Sequence, residues 1–535
     1  MFKKFRFHRK KNKPVYKNSQ NKHVLENNEK FEANIDRNIS KVKELLETND
    51  DIVFREISVF IEKPVKVFIC YFSTLSSNEY INEFVIKPLQ ELNLNNTLTT
   101  YSEKSNLDIM KNNVLDVGSL SEHSAIEAVV NQILSGKAAL FIDGSDTALI
   151  IEAQGFAMRN VSEPDTESVV RGPREGFTEN IEVNTGLIRR KIVNSKLYFE
   201  KFTIGKQTHT KIRIAYIEGI VNKKVVQEVK ARLQKIDIDS ILESGYIEQL
   251  IEDHPTSIFP TVGNSEKPDI IAARLLEGKV AILCDGTPFV LSVPYMFVEN
   301  FQISEDYYSR PYFASAIRLL RLLALFLTVT IPAFYVALTS YHHAMIPTVL
   351  LTSMAAAEET VPFPVLIETL LIGTAFEILR EAGVRLPRPV GSAISIVGAL
   401  IIGEGAVQAG LVSAPMVIAM ALTGISSFIV PAINDAVVLS RLFFVLLAGI
   451  LGLYGVLIGF LIILAHMCSL RSFGTPYLAP HAPIILREWK DTLIRAPLWK
   501  MNQRPQSITW EHETNRQGAN QKPKASTREN GSEEN

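Results

Sequence analysis

From about residue 306 to residue 470 the chain is dominated by apolar runs, and no other feature limits the possible folds so tightly. A helix that crosses a bilayer needs roughly 20 apolar residues. Four stretches have that length: LLRLLALFLTVTIPAFYVALTSY (319–341), VGSAISIVGALIIGEGAVQAG (390–410), LVSAPMVIAMALTGISSFIVPAI (411–433) and LFFVLLAGILGLYGVLIGFLIILAHM (442–467). Between the first two lies an apolar segment, 344–380, interrupted by Glu358, Glu359, Pro362 and Pro364. Such a segment suits a broken or re-entrant element whose irregular backbone is covered by protein or water. The expectation for 306–470 is an all-α, multi-pass membrane domain in a lipid bilayer.

Sidedness follows from the cations. Arg318 and Arg321 flank the first span, and Arg471, Arg487, Lys490, Arg495, Lys500 and Arg504 follow the last. Positive charge favours the cytoplasm, so the N-terminal domain and the C-terminus are both expected there. Arg380, Arg385 and Arg388 fit less simply, because some span counts put them outside.

Before residue 306 the pattern is soluble α/β. Residues 1–50 begin with a lysine-rich stretch and read as a basic disordered tail; no apolar run follows, so the pattern is not that of a secretory signal. The formal net charge of -1 gives no reason to expect nucleic acid as a partner. Cys70, Cys284 and Cys468 are scattered without metal spacing, and the first two sit in strand-like runs as buried thiols. Two stretches match: ILSGKAALFIDGSDTALI (133–150) and LLEGKVAILCDGTPFVLS (275–292). Each predicts a helix stopped by Gly136 or Gly278, a buried strand, and a tight Asp-Gly turn at Asp143 or Asp285. VKVFICYF (65–72) and TKIRIAYIEG (210–219) form a weaker pair upstream. The soluble half is therefore expected to be two related α/β subdomains in tandem, 51–160 and 206–305, of the same topology. A charged connecting segment, 161–205, would lie between them, and a polar C-terminal tail, 471–535, disordered at its end, would close the chain. In the connector, Phe177, Ile181, Ile188 and Ile192 share one face, with Glu179, Glu182, Arg189 and Arg190 around the rest. A salt-bridged linker helix is the simpler reading; a relay between subdomains is the functional one.

The chemistry of catalysis is missing from the pattern. There is no phosphate loop, HExxH, GxSxG elbow or metal-spaced Cys/His set. Neither an enzyme nor a cofactor is expected. Polar residues inside apolar segments are the informative ones, because an intramembrane carboxylate normally faces a bundle interior or water. Glu404 and Gln408, four apart, share a side of the 390–410 helix. Ser395, Ala399, Ala406 and Gly410 fall towards another, suited to close packing. Glu404 and Gln408 are thus candidates for the lining of an aqueous path, with burial inside one subunit as the alternative. Glu368 raises the same question and has no obvious partner, whereas Glu377 can pair with Arg380 and Glu381 with Arg385. Gly455 and Gly459 form a GxxxG packing notch.

Two long stretches carry a resemblance. EPDTESVVRGPREGFTENIEVNTGLIRRKI (163–192), which contains Arg171, Gly172, Pro173, Arg174, Glu175, Gly176, Phe177, Asn184, Arg189 and Arg190, resembles the soluble signature of the A subunit of GerA-type spore-germination nutrient receptors. PFPVLIETLLIGTAFEILREAGVRLPRPVGSAISIVGALIIGEGAVQAG (362–410) is similar to that family's membrane signature, although members more often have Gln-Ala where this chain has Glu404-Gly405. The resemblance runs from about residue 55 to about 500. It implies a place in the spore inner membrane, a permease-like B subunit that holds the nutrient, a lipoprotein C subunit, and homo-oligomerisation into a ligand-gated ion channel. A secondary transporter and a non-conducting scaffold for the B and C subunits are the competing functions.

Overall fold

The computed structural model describes residues 29–60, 63–94, 105–155, 167, 169–385, 403–509 and 515–516. The chain divides into two compact units, Met1–Glu47 with Ile52–Gly155, and Thr48–Asp51 with Phe156–Asn535.

The first unit is built on five strands: β1 (Ile52–Phe60), β2 (Pro64–Phe72), β3 (Leu120–His123), β4 (Ala138–Ile142) and β5 (Ala148–Ile151). They pair in the order β1-β2-β4-β5-β3, antiparallel throughout. Helix α1 (Ile35–Leu46) precedes β1, and α2 (Ile126–Leu134) leads into β4. The second unit repeats this plan with β6 (Leu197–Ile204), β7 (Thr210–Ile217), β8 (Gly263–Ser265), β9 (Val280–Cys284) and β10 (Val290–Val293), in the order β6-β7-β9-β10-β8. Here α3 (Ile181–Lys191) takes the place of α1, α4 (Lys223–Lys235) follows β7, and α5 (Pro268–Leu276) leads into β9. The two sheets have the same topology, strand for strand. Helices cover both faces of the second one: α3 and α5 bury Ile181, Ile188, Ile271 and Leu275 on one side, and α4 buries Val225, Val229 and Leu233 on the other. That is why β9 reads as an unbroken apolar run despite antiparallel pairing, and why β7 is buried from Ile212 to Ile217.

Helices α1 and α3 lie outside the ranges expected for the subdomains, and each is the opening element of its repeat. Residues 35–46 are not tail, and 181–191 is not a linker. The local chemistry is duplicated. Asn34 accepts the Asp36 N–H at 2.9 Å, and Asn180 the Glu182 N–H at 2.8 Å, as N-caps. Asp143 Oδ1 accepts the first helical N–H, of Ile35, at 3.5 Å; Asp285 Oδ1 accepts that of Ile181 at 3.1 Å. The N–H groups of Gly144 and Gly286 donate to the carbonyls of Ala33 and Glu179. The Asp-Gly turns therefore do more than reverse the chain: each aspartate caps its own repeat's first helix. Gly136 and Gly278 stop α2 and α5 with φ of 93° and 98°, a left-handed conformation glycine adopts without strain.

From Pro311 to Ser469 the second unit is helical: α6 (Pro311–Tyr341), α7 (Thr348–Glu358), α8 (Val365–Arg385), α9 (Ala414–Ser427), α10 (Asn434–Leu451) and α11 (Leu453–Ser469), with a short helical stretch at 403–408. Among the described residues, two helical segments, Pro311–Tyr341 and Pro431–Leu451, are long and apolar enough to cross a membrane. The four expected spans change accordingly. The first is present as a helix and is longer. The one at 390–410 lies mostly outside the described residues. The one at 411–433 holds only the 14 residues of α9, about 21 Å at 1.5 Å per residue, before the chain breaks at Val430-Pro431. The run 442–467 is not one helix but parts of two: Gly452, at φ 61°, turns the chain between α10 and α11, and α11 folds back so that Gly459 lies against Phe444 and Leu447. An apolar run of 26 letters looks continuous because the turn needs one glycine and no polar residue.

Packing gives each helix a direction. Helix α6 starts beside the second repeat and ends at Tyr341, whose hydroxyl donates to the Gly449 carbonyl at 2.7 Å near the end of α10. Helix α11 returns, and His466 meets Ser257 at 2.9 Å. Val437, Met467, Phe259 and Tyr295 share one core beneath the bundle. The chain after α11 continues along the repeat: Ser472 donates to the Thr261 carbonyl and accepts the Tyr295 N–H, and Ile508 packs with Met296 and Val298.

Candidate functional site

The site is the polar framework of the helical region. At the base of α6, Arg318 and Arg321 carry the positive charges that the sequence pattern assigns to the cytoplasmic face. They are instead buried and neutralised. Arg318 is fully buried and donates to Asp306 at 2.8 Å, to Asp491 Oδ1 at 2.9 Å and to the Thr492 carbonyl at 3.0 Å. Arg321 donates to the Phe301 carbonyl and to both oxygens of Asp306. Arg495, another expected cytoplasmic charge, reaches the carbonyls of Tyr307 and Ser309. Removing one member of such a buried network strands the others without water, so it ties residues 301–321 to 491–495. The second repeat joins the same region through Lys279 of its Gly-Lys motif. Lys279 is buried and paired with Glu299, whose other oxygen accepts the Met296 N–H. Burial holds the Lys279 ammonium below its usual range against the opposing pull of Glu299.

Within the bundle, Glu368 lies one turn into α8 with 1% of its surface exposed. Oε1 accepts the Ser413 N–H at 2.5 Å and the Ser413 hydroxyl at 2.6 Å. Ser413 is the N-cap of α9, so the carboxylate sits where free helical N–H groups and the positive end of the dipole converge. The Tyr335 hydroxyl is 3.2 Å from Ser413 Oγ and 3.3 Å from Glu358 Oε1. Four polar side chains thus run from α7 through α6 to α8, all within one chain. Glu377 pairs with Arg380, the expected i,i+3 partner, and also with Arg441 on α10. Arg380 adds a bond to Asn434 Oδ1 at 2.8 Å. Arg441 and Glu377 border a cavity of about 170 Å³ together with Thr369, Thr374 and Met420. Sequence reasoning misses Arg441, Ser413 and Tyr335. Arg441 has a signal, a lone charge in an apolar run, but it falls one residue before the stretch that reads as a span.

Glu404 and Gln408 lie on the short helix at 403–408 and are both exposed, joined by a bond of 3.2 Å from Gln408 Nε2 to Glu404 Oε1. Ala406 and Gly410 are half-buried, Ala406 beside the core of Ile372, Val412 and Met416. Ser395 and Ala399 lie outside the described residues. Gly455 and Gly459 both pack against α10: a Cβ on Gly455 would overlap the Leu447 carbonyl, and one on Gly459 would stand 3.1 Å from Phe444.

The stretch 171–177 pins the start of the second repeat to the chain that enters α6. Arg171 and Arg174 are exposed. Gly172 takes φ 148° beside the Tyr308 ring, the Pro173 carbonyl accepts Lys267 Nζ at 3.0 Å, and the Phe177 N–H donates to the Glu266 carbonyl. Gly176 and Phe177 are buried, and Glu175 bonds to Arg190 at 2.5 Å. Asn184 closes the turn before α3 by exchanging bonds with Thr178. Arg189, which the sequence pattern groups with the solvated charges, is 2% exposed. It grips Asp51 at 2.6 and 2.5 Å and Asn49 at 2.9 Å.

An α/β repeat that leads into a helical region with buried acids and a broad exposed apolar surface defines a two-part chain, an α/β module followed by an apolar helical bundle. The family model described as Bacillus/Clostridium GerA spore germination protein matches residues 40–507, and the chain belongs to that family of A subunits of spore germination receptors. Among its relatives, spore germination protein KA of Bacillus subtilis (strain 168) is 47% identical over 91% of this chain and 89% of its own length. The uncharacterized membrane protein YfkQ of the same organism is 43% identical over 88% and 91%. Spore germination protein GerLA of Bacillus cereus is 37% identical over 89% and 96%. A crystal structure of the N-terminal domain of the A subunit of the Bacillus megaterium spore germinant receptor GerK3 is 33% identical, covering 50% of this chain and 98% of its own, with a TM-score of 0.40.

Proposed function

We propose that this chain is the A subunit of a nutrient receptor in the spore inner membrane, and that it converts nutrient binding at a permease-like B subunit into ion release as an oligomeric, ligand-gated channel. It works with a lipoprotein C subunit and catalyses no reaction. The observation that carries the channel reading is the pair Glu404 and Gln408: two polar side chains exposed on one helix face, in a region whose exposed surface is largely apolar. In lipid that face is costly; against the same face of neighbouring subunits it lines a wet path. Membrane embedding has its own support. Helix α11 exposes Leu457, Phe460, Leu461 and Ile462, and α10 exposes Leu439, Leu442, Leu446 and Ile450, a broad apolar surface of the kind that marks a membrane or partner contact. The helices form a multi-pass bundle with the soluble domain and the C-terminus on the cytoplasmic side.

The test is reversal potential under an ion gradient in the reconstituted receptor. Glu404→Gln removes one charge per subunit and is expected to lower cation over anion permeability several-fold with assembly intact; Glu404→Leu is expected to reduce conductance further by drying the path. Unchanged selectivity and conductance in both variants would assign Glu404 to packing and end the channel-lining reading.

A further inference from the structure

All three tryptophans of the chain, Trp489, Trp499 and Trp510, fall in the segment after the last long helix. That segment does not behave as a polar surface. Ile484 is 69% exposed, Leu486 71%, Trp489 42%, Ile494 62% and Leu498 51%. Single exposed apolar residues are ordinary, but a cluster of them within one short stretch marks a contact surface. The cations Arg487, Lys490 and Lys500 are interleaved with them and exposed. The segment's place says what that partner is. Asp491 and Thr492 are bound by Arg318, and the Arg495 N–H and carbonyl both meet the Ser315 hydroxyl, at 3.0 and 3.3 Å. On α6, Tyr312 and Phe313 are exposed just before these contacts, and Leu319, Leu320 and Leu323 immediately beyond them. Residues 484–500 are thus fastened at the level where the helix passes from a buried polar collar to an apolar exterior.

We infer that residues 484–500 lie on the bilayer surface, with Trp489 and Ile494 at the boundary of headgroups and acyl chains and with Arg487, Lys490 and Lys500 against anionic headgroups. The inference rests on the reading of α6, α10 and α11 as membrane-embedded. Tryptophan suits that boundary because its ring is apolar and its N–H is polar, while interleaved cations gain from the negative surface. The segment acts as a collar that fixes the depth of α6.

The full chain is reconstituted in vesicles of phosphatidylcholine and phosphatidylglycerol, with Trp499→Phe and Trp510→Phe leaving Trp489 as the only tryptophan emitter. Lipids brominated near the headgroup are expected to quench it strongly, lipids brominated near the acyl terminus weakly, and aqueous acrylamide little. Replacing phosphatidylglycerol by phosphatidylcholine, or introducing Arg487→Gln with Lys490→Gln, is expected to weaken the shallow quenching; insensitivity to both removes the anionic headgroup from the inference. Quenching by acrylamide alone overturns it, as does protection from acrylamide without any lipid quenching, which means that protein covers the segment. A chain whose only tryptophan is introduced by Phe460→Trp, on the exposed side of α11, separates the two readings. If the deep lipids quench it but no lipid quenches Trp489, only the surface placement fails; if neither is quenched, the membrane reading falls too.

Discussion

Arg189 shows how much a single side chain can decide. Its guanidinium is 2% exposed, holds Asp51 by two bonds, and stacks 4.7 Å from the centre of the Phe199 ring. Asp51 is 1% exposed, so the pair is buried on both sides. Taking one partner away leaves the other charge without water. Arg189→Met should therefore destabilise the chain by about 3–5 kcal/mol, whereas Arg189→Met with Asp51→Leu should recover much of that loss. Thermal unfolding of the four members of the mutant cycle in detergent measures this; equal losses in the single and double variants would show that packing on Phe199, not charge, is what matters. The sequence puts Arg189 in a row of charges with Glu182 and Arg190 and offers no way to tell them apart, because its partner lies 138 residues earlier in the chain. Glu368 is the same case. It looks unpartnered in the sequence because Ser413 is 45 residues away and is only brought to it by the packing of α9 on α8.

At the scale of elements, glycine spacing is visible in the sequence and its meaning is not. Gly455 and Gly459 are legible as a packing notch, but the partner is the helix just before them, reached through the turn at Gly452. Gly452→Ala would put a Cβ 3.0 Å from that of Tyr341 and would force a left-handed residue to carry a side chain. Gly455→Leu would drive a side chain into the backbone of α10. Both are expected to open the hairpin and to lower the melting temperature of the detergent-solubilised chain by several degrees. Gly405→Ala, where nothing stands within 4 Å of the new methyl group, should leave it unchanged or slightly raised. A hairpin as stable in Gly455→Leu as in Gly405→Ala would mean that α10 and α11 do not pack against each other through these glycines. The opening helices of the repeats follow the same logic. FEANIDRN (31–38) and FTENIEVN (177–184) share phenylalanine, two asparagines, isoleucine and an acid at equal spacing. This match is present in the sequence, but the strand-turn match further on is longer and hides it, and a charged stretch invites the reading of a linker.

For the whole molecule the testable consequence is sidedness. In the last turns of α8, Arg380 is bound to Asn434, the first residue of α10, and α10 starts at the end of the bundle that shares a core with Phe259 and Tyr295. Arg385 should then lie on the same side of the membrane as the second repeat and Lys490, while Met345, 64% exposed beyond the far end of α6, should lie on the other. In a chain with Cys468→Ser, single cysteines at Arg385, Lys490 and Met345 can be labelled in sealed vesicles with an impermeant maleimide. The first two are expected to react from one side and the third only from the other, and any other grouping would break this order of helices in the bundle. That grouping would put Arg380 on the same side as the charges near α6, with α8 as a returning crossing rather than part of a re-entrant element. The sequence by itself determined the division into an α/β half and an apolar helical half, the duplication with its Asp-Gly turns, the absence of familiar catalytic motifs, and the family. All of these rest on local periodicity, turn chemistry or long shared motifs, which are properties of neighbouring residues. Tertiary structure decided where helices stop inside an apolar run, which charges are buried in pairs, and which end of each helix meets the soluble repeat. Those depend on contacts between residues far apart in the chain, and a pattern of near neighbours carries no record of them.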